Sequence, residues 1–595
     1  MYPQLNNKRA LLLLLASTAG CGGGGGGTSF DPPVLPPPPV SQTVLDLATL
    51  ATGDGFLRVY GRDSTGRFGV PVAAGADCNN DGLADYAMSA MAAAPFGRQG
   101  AGQVHLIFGD GDLFGNDIDT GISHGNVLTV AGAGPNENTG SEIWMDDVTG
   151  DGVGDLLIGR QNYREPTTGR IGAGALSILI GGSELHDLAT AGTVLDLSAP
   201  VGARVLTLIG ARELDRFGFW FRSGDVTGDG IADILVGADQ EDSLSGDSNS
   251  GAVWLVRGGS HLNAAAAIDL ADFGTTALAG HVLKITPPAD ATDFHFGSTV
   301  ALADLDNNLR AEVLIAASLA RAGGQLVADG APADSATRNG GNLGGSLFIF
   351  WDDNFDTATS WAPGLILSAD TPPGSFTRID GGTDDGVFSN LRLAEDMIGG
   401  LDYDADNIAD LFIGDIRGST RGNRDESGLG HIFFSAADLR NQNFSMDAVP
   451  AGLRLTTILG IAAGTISADT SLHGDFDGDG STDLGISSPL ANPQGRIHAG
   501  IVHILWGQPG PWPSLIDLLD ANRPINFDIT DIYGARGATS DEDHGDTLMY
   551  SAAAADIDAN GKVDLVINEM RGNGVPANAL DVGNLLILSG DLVPR

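Results

Sequence analysis

Asp475-Phe-Asp-Gly-Asp-Gly-Ser-Thr-Asp483-Leu-Gly-Ile486 sets four carboxylates within one tight loop and then turns apolar. The same order, an acidic loop and then a short apolar run, begins again at Asp77, Asp147, Asp225, Asp304, Asp402 and Asp556. The copies lie about 80 residues apart on average, enough for one four-stranded sheet. A unit that cannot bury its own apolar face must stack on its neighbours, and seven such units in a row predict a closed ring.

Around each loop the strand signals recur in one order. A short apolar stretch, opened by Phe68-Gly69, Phe217-Gly218 or Phe296-Gly297, comes first. After the loop come β-rich runs such as Asp155 to Ile158, Asp233 to Val236 and Asp564 to Ile567. A third run is opened by glycine in every copy, as in Gly102 to Phe108, Gly251 to Val256 and Gly500 to Leu505. A weaker fourth lies at Leu128 to Ala131, Leu206 to Ile209 and Leu283 to Ile285. The seventh copy has no fourth run of its own, whereas Phe56 to Tyr60 precedes the first copy unclaimed. That segment is expected to complete the last unit and leave no open sheet edge. The expectation is all-β: a seven-bladed β-propeller over residues 44–595, with four antiparallel strands per blade.

This order resembles the FG-GAP repeats that build the seven-bladed propeller of integrin α subunits and of many bacterial surface proteins. The Gly-Ala-Pro element is only hinted at, in Gly237-Ala238 and Ser488-Pro489. The resemblance implies adhesion or ligand recognition at a cell surface.

The loops carry the chemistry of a hard-cation site. Alternate positions of a tight loop aim at one point, and oxygen-only donors suit calcium better than the stricter octahedron of magnesium. The candidate ligands are Asp77, Asn79, Asp81 and Asp85 in the first copy, and Asp147, Thr149, Asp151 and Asp155 in the second. Asp225, Thr227, Asp229 and Asp233 serve the third, and Asp402, Asp404, Asp406 and Asp410 the fifth. Asp475, Asp477, Asp479 and Asp483 serve the sixth, and Asp556, Asp558, Asn560 and Asp564 the seventh. In the fourth copy Leu309 stands where the glycine belongs and Glu312 closes the loop, so strong binding is not expected there. About five or six structural Ca²⁺ sites follow from these loops. An EF-hand is a poor fit, because its closing glutamate position is here a strand residue such as Ile158 or Ile486. The plainer alternative for any one loop is a solvated acidic turn.

The net charge of −45 argues against nucleic acid as a partner. Lys8 and Arg9, the apolar Leu11 to Ala16 and the small Thr18-Ala19-Gly20 before Cys21 resemble a bacterial lipoprotein signal. The resemblance implies cleavage after residue 20, lipidation of Cys21 and anchoring at the cell envelope. Thr18 departs from the leucine usual there, and a plain secretory signal is the other reading. Residues 21–43, with Gly22 to Gly27 and the proline-rich Asp31 to Pro39, read as a tether. Membrane contact is then expected through the lipid alone, and the folded part is expected to be a monomer. Cys78, the only other cysteine, sits between ligand positions and reads as a structural thiol.

Loops joining second and third strands share the face opposite the acidic loops, and many arginines fall there. Arg160, Arg164, Arg417, Arg421 and Arg424 are candidate contacts for carboxylates or sulfates of a protein or glycan ligand. Local pairing with neighbouring acids is the other reading. No H-E-x-x-H motif is present, and the one G-x-S-x-G string, Gly121 to Gly125, precedes an apolar run rather than opening a helix, so no catalytic residue is assigned. The favoured function is a non-enzymatic, calcium-stabilised surface binder. A polysaccharide-active propeller enzyme and a structural subunit of an envelope complex are the alternatives.

Overall fold

In the computed structural model every acidic loop joins two antiparallel strands. The structure describes residues 43–595 apart from 51–52, 54, 62–67, 110–113, 115–116, 123, 244–245, 290, 292, 321–343, 356–360, 383–391, 419–423, 520–521, 541–542 and 575–580. The signal, Cys21 and nearly all of the tether therefore lie outside the described residues.

Blades are counted in the order of their loops, the first carrying Asp77 and the seventh Asp556. The third shows the plan. Phe221–Gly224, Asp233–Ala238, Ala252–Val256 and Val282–Thr286 pair antiparallel in chain order. The second strand, Asp-Ile-Leu-Val-Gly-Ala, is buried throughout. A blade is covered on both faces by its neighbours, so its central strands read as continuous apolar runs rather than an alternation. Leu235, Val253 and Leu255 of the third blade share one core with Val313, Ile315 and Phe348 of the fourth. Each fully buried side chain of this size contributes roughly 1.5–3 kcal/mol.

The glycine that opens each third strand marks the junction between blades. Gly174 has φ +78°, and a Cβ there would sit 2.2 Å from the carbonyl oxygen of Phe217 in the next blade. Gly251 meets Phe296 in the same way, also at 2.2 Å. The Phe-Gly element and the strand-opening glycine are thus two halves of one close backbone approach.

The ring closes as the strand count requires. Phe56–Tyr60 pairs antiparallel with Asn584–Leu588, the third strand of the seventh blade. Leu57, Val59, Leu585 and Ile587 then pack with Tyr86 and Met88 of the first blade. Phe56, Leu586 and Leu588 pack with Val502, Ile504 and Trp506 of the sixth. On the inner strands the Ser551 hydroxyl accepts the Val72 N–H at 3.1 Å and links the seventh blade to the first.

The expectation of four strands per blade needs one correction: all seven sheets have five. The fifth runs parallel to the fourth and comes from the next blade, from the segment between its third and fourth strands. Ala266–Asp269 of the third blade pairs with Arg204–Ile209 of the second, and Ile366–Ser368 of the fourth with Val282–Thr286 of the third. Thr43–Asp46 pairs likewise with Ile529–Tyr533 of the sixth blade. The N-terminal arm therefore supplies two blades. These added strands hold two to four residues each, too few for a strand period to stand out, although Ile118, Leu195, Leu367 and Ile516 in them are buried. They are set by the bare edge of the fourth strand, which otherwise presents unpaired N–H and C=O groups.

Between the third and fourth strands of the second blade lies an eight-residue α-helix, Ser183–Thr190. The acidic loops themselves are flanked by strands.

Candidate metal loops and the opposite face

The first aspartate of each loop holds the turn. Asp475 accepts the N–H groups of Gly478, Asp479 and Gly480 at 2.7–2.9 Å. Asp147 and Asp225 do the same with Gly150, Asp151 and Gly152, and with Gly228, Asp229 and Gly230. Gly480 has φ +89° at the sharpest point. Asn407 takes the same region in the fifth blade with φ 63°, and Leu309 in the fourth with φ 69°.

The closing acid is fully buried in all seven loops: Asp85, Asp155, Asp233, Glu312, Asp410, Asp483 and Asp564 are each 0 % exposed. In six blades its two oxygens staple the loop to the sheet. Asp483 Oδ2 accepts the Phe476 N–H and Oδ1 the Gly507 N–H just past the third strand, both at 2.8 Å. Asp85, Asp155, Asp233, Asp410 and Asp564 bind the equivalent pairs of N–H groups. In the fourth blade Glu312 Oε2 accepts the Leu305 N–H, and Oε1 accepts none. Burial, aided by the neighbouring carboxylates, pushes Asp85, Asp233, Asp410 and Asp483 up to about 7. It pushes Asp155 and Asp564 up to about 6, and Glu312 up to about 8.

Such a set fits a hard divalent cation. Donor oxygens of Asp402, Asp404 and Asp410 come within 4.8 Å of one another, as do those of Asp475, Asp477 and Asp483, and of Asp556, Asp558 and Asp564. Asp404 Oδ1 is buried and accepts no hydrogen bond. The fourth blade also brings Asp304, Asp306 and Glu312 together. The extra methylene of Glu312 reaches where an aspartate would, and the exposed Leu309 adopts the turn conformation itself. In the first three blades Asn79, Thr149 and Thr227 take the second ligand place and leave one carboxylate fewer. A bound cation would sit among these oxygens, neutralise them and tie the turn between the first two strands. Several loops also touch a guanidinium: Arg454 reaches Asp404 and Asp406 at 2.7 and 2.9 Å, and Arg595 reaches Asp477 and Asp479 at 2.5 Å. Arg440 reaches Asp306 at 2.8 Å. Cys78 is buried in the first loop, where burial pushes its thiol well above the usual range.

On the opposite face the arginines are paired locally. Arg160 donates to Glu137 at 2.8 Å and lies over the Tyr163 ring, and Arg417 donates to Glu426 at 3.0 Å. Arg424 donates to both oxygens of Asp517 at 2.7 and 2.8 Å. Arg164 is exposed, and Arg421 lies outside the described residues. Four arginines repeat one clamp. Arg98, Arg170, Arg424 and Arg496 each stand four residues before the third-strand glycine. Each bonds the last aspartate of the added fifth strand: Asp196, Asp269, Asp517 and Asp46 respectively. Each also donates to a carbonyl just past the fourth strand: Ala133, Gly210, Gly460 or Ala535. The acids could not be found from the sequence, because their strands were not; the Arg-x-x-x-Gly spacing was the available signal.

One Ser–His–Asp chain lies among the described residues. Ser488 Oγ is 3.1 Å from His503 Nε2, and His503 Nδ1 is 2.7 Å from Asp531 Oδ1. All three are buried, Ser488 completely, and Arg523 also binds Asp531. Ser467 Oγ continues the chain at 2.7 Å. It is a buried hydrogen-bonded network of the sixth blade. Trp254, Trp351 and Trp506 are buried, whereas Trp144 and Trp220 of the inner strands are half-buried on either side of Arg222.

Residues 217–256, spanning the third-blade loop and its flanking strands, match the FG-GAP repeat. A stretch of 152 residues, 25% of this chain, is 29% identical to integrin alpha-PS2 of Drosophila melanogaster and spans 10% of that relative's length. Among solved structures, the V. cholerae biofilm matrix protein Bap1 aligns over 87% of this chain and 76% of its own, at 12% identity and a TM-score of 0.22. The rhamnogalacturonan lyase PL11 of Bacillus licheniformis aligns over 92% and 91%, at 12% identity and a TM-score of 0.25. The chain is a seven-bladed β-propeller whose third blade matches the FG-GAP repeat and whose other six blades share its loop and strand order.

Proposed function

We propose that this protein is a calcium-stabilised propeller of the cell envelope that recognises a protein or glycan ligand without chemically altering it. FG-GAP repeats are typical of extracellular and cell-surface proteins. Among the described residues no helix is long and apolar enough to cross a membrane. The lipid on Cys21 would hold the propeller at the membrane, and residues 21–43 would give it reach. The observation that carries the calcium part is the set of seven buried closing acids, held at one place in every blade beside further loop oxygens. Calcium would keep these carboxylates ionised and the rim rigid, while the longer loops of the other face do the recognising.

The test is retention of glycans and of envelope proteins on immobilised propeller, with calcium and with EDTA. Calcium-dependent retention of a defined ligand is the expected result. Turnover of a polysaccharide in a hydrolysis and lyase panel would overturn the non-enzymatic part.

A further inference from the structure

Three blades lack the clamp arginine: Asp247 takes its place in the third, Gly341 in the fourth and Ala579 in the seventh, and in the third a cavity lies there. At the clamp position, four residues before Gly251, stands Asp247, and the added strand ends in Ser368 rather than in aspartate. The chain past the fourth strand is Pro287-Pro288, with carbonyls where Gly210 and Ala133 accept the clamp arginine in other blades. A cavity of about 410 Å³ opens at this place, walled by Asp247, Ser368, Pro287, Pro288, Trp254 and Phe273. It occupies the space that sibling blades fill with their own guanidinium.

The charge of the wall fits such an occupant. Glu241, Asp242, Asp247 and Asp370 border the cavity, against Arg212 and Lys284. Lys284 and Arg212 both pair with Glu241 Oε1, Asp247 accepts the Ser243 hydroxyl, and Asp242 and Asp370 accept the N–H groups of Asn249 and Ala289. Glu241 is 2% exposed, and its Oε2 accepts no hydrogen bond. A buried carboxylate oxygen without a donor is costly, and a ligand N–H would relieve it. We propose that this cavity binds a guanidinium group carried by another molecule, in the place of the missing clamp arginine. The inference deepens the recognition role proposed above by naming the group recognised, and it does not depend on calcium.

The full-length protein, kept in calcium, is titrated with N-acetylarginine amide by calorimetry. N-acetylcitrulline amide, uncharged and of the same shape, is the comparison, and an arginine-containing peptide against its citrulline version separates a protein side chain from a free small molecule. Saturable binding of the arginine probe is expected, at least about tenfold weaker for citrulline. Asp247→Arg with Ser368→Asp restores the sibling clamp and should abolish binding without lowering the melting temperature. Should that pair not fold, Ala289→Trp at the exposed mouth plugs the cavity and should have the same effect on binding. No saturable binding by the wild type, equal affinity for citrulline, or undiminished binding by a filled variant overturns the proposal. Ligand retention that persists without probe binding would leave the recognition role standing and remove this site alone.

Discussion

The two faces of the propeller solve one electrostatic problem in opposite ways. On the loop face carboxylates are gathered closely in four blades, where a divalent cation would join the arginines that already reach some of them. On the other face four blades neutralise the terminal aspartate of the added strand with a built-in arginine, and the third blade leaves the place open. An internal guanidinium is always present and fixes the contact permanently. A divalent ion can be withdrawn, so the loop face makes stability conditional on the surroundings.

The largest effect expected is indifferent to either face and tests the ring that joins them. Removing residues 1–60 takes away the fourth strand of the seventh blade, the fifth strand of the sixth and the partner of Arg496. It exposes Leu585, Ile587 and Leu588 at once. Loss of a single cooperative unfolding transition by calorimetry is expected; a truncated chain that melts like the whole would show that the ring need not close.

Withdrawing the cation comes next. A site saturated a hundredfold above its Kd adds about 2.7 kcal/mol, so emptying several loops should lower Tm by about 10 °C or more. An unchanged melting curve in EDTA, on protein verified metal-free, removes the calcium claim. The metal-free protein carries a sign that can be checked. Its closing acids titrate near 6 to 8 when folded and near 4 when unfolded, so the folded state binds more protons in between. Stability should therefore rise as pH falls from 8 towards about 5, and calcium should flatten or reverse that slope.

Within one loop the two kinds of acid separate. Asp483→Ala strands the buried N–H groups of Phe476 and Gly507 and should cost about 2–4 kcal/mol in urea unfolding, with or without calcium. Asp479→Ala, at the exposed end of the same loop, should cost stability in calcium alone. Equal losses under both conditions would merge staple and ligand into one role.

The smallest effect belongs to the clamps. Arg170→Ala removes a pair whose aspartate is 39% exposed, and about 1 kcal/mol is expected after solvent screening. A loss several times larger would make the arginine face as decisive as the loop face.

Much of this was legible before any coordinates. The acidic loop, the apolar second strand, the glycine opening the third and the orphan strand Phe56–Tyr60 are local signals, and each landed where its pattern placed it. The fourth-blade loop keeps the turn although Leu309 breaks the glycine rule, because its side chain is exposed and its backbone adopts the left-handed conformation. The sequence left a shared arginine patch and local pairing both open, because the acidic partners lie 93 to 99 residues away for Arg98, Arg170 and Arg424 and 450 away for Arg496.

The sequence by itself determined the repeat, the ring and the donor oxygens, since hydrophobic periodicity and turn chemistry are written within a few residues. Only the tertiary structure decided that each blade takes a fifth strand from its successor. That pairing rests on backbone hydrogen bonds to an open edge, and its side-chain mark is only an apolar residue followed by aspartate, as in Leu195-Asp196 and Ile516-Asp517, too short to read as a strand. The vacancy in the third blade is of the same kind: a single Asp247 means little until three distant segments are brought around it.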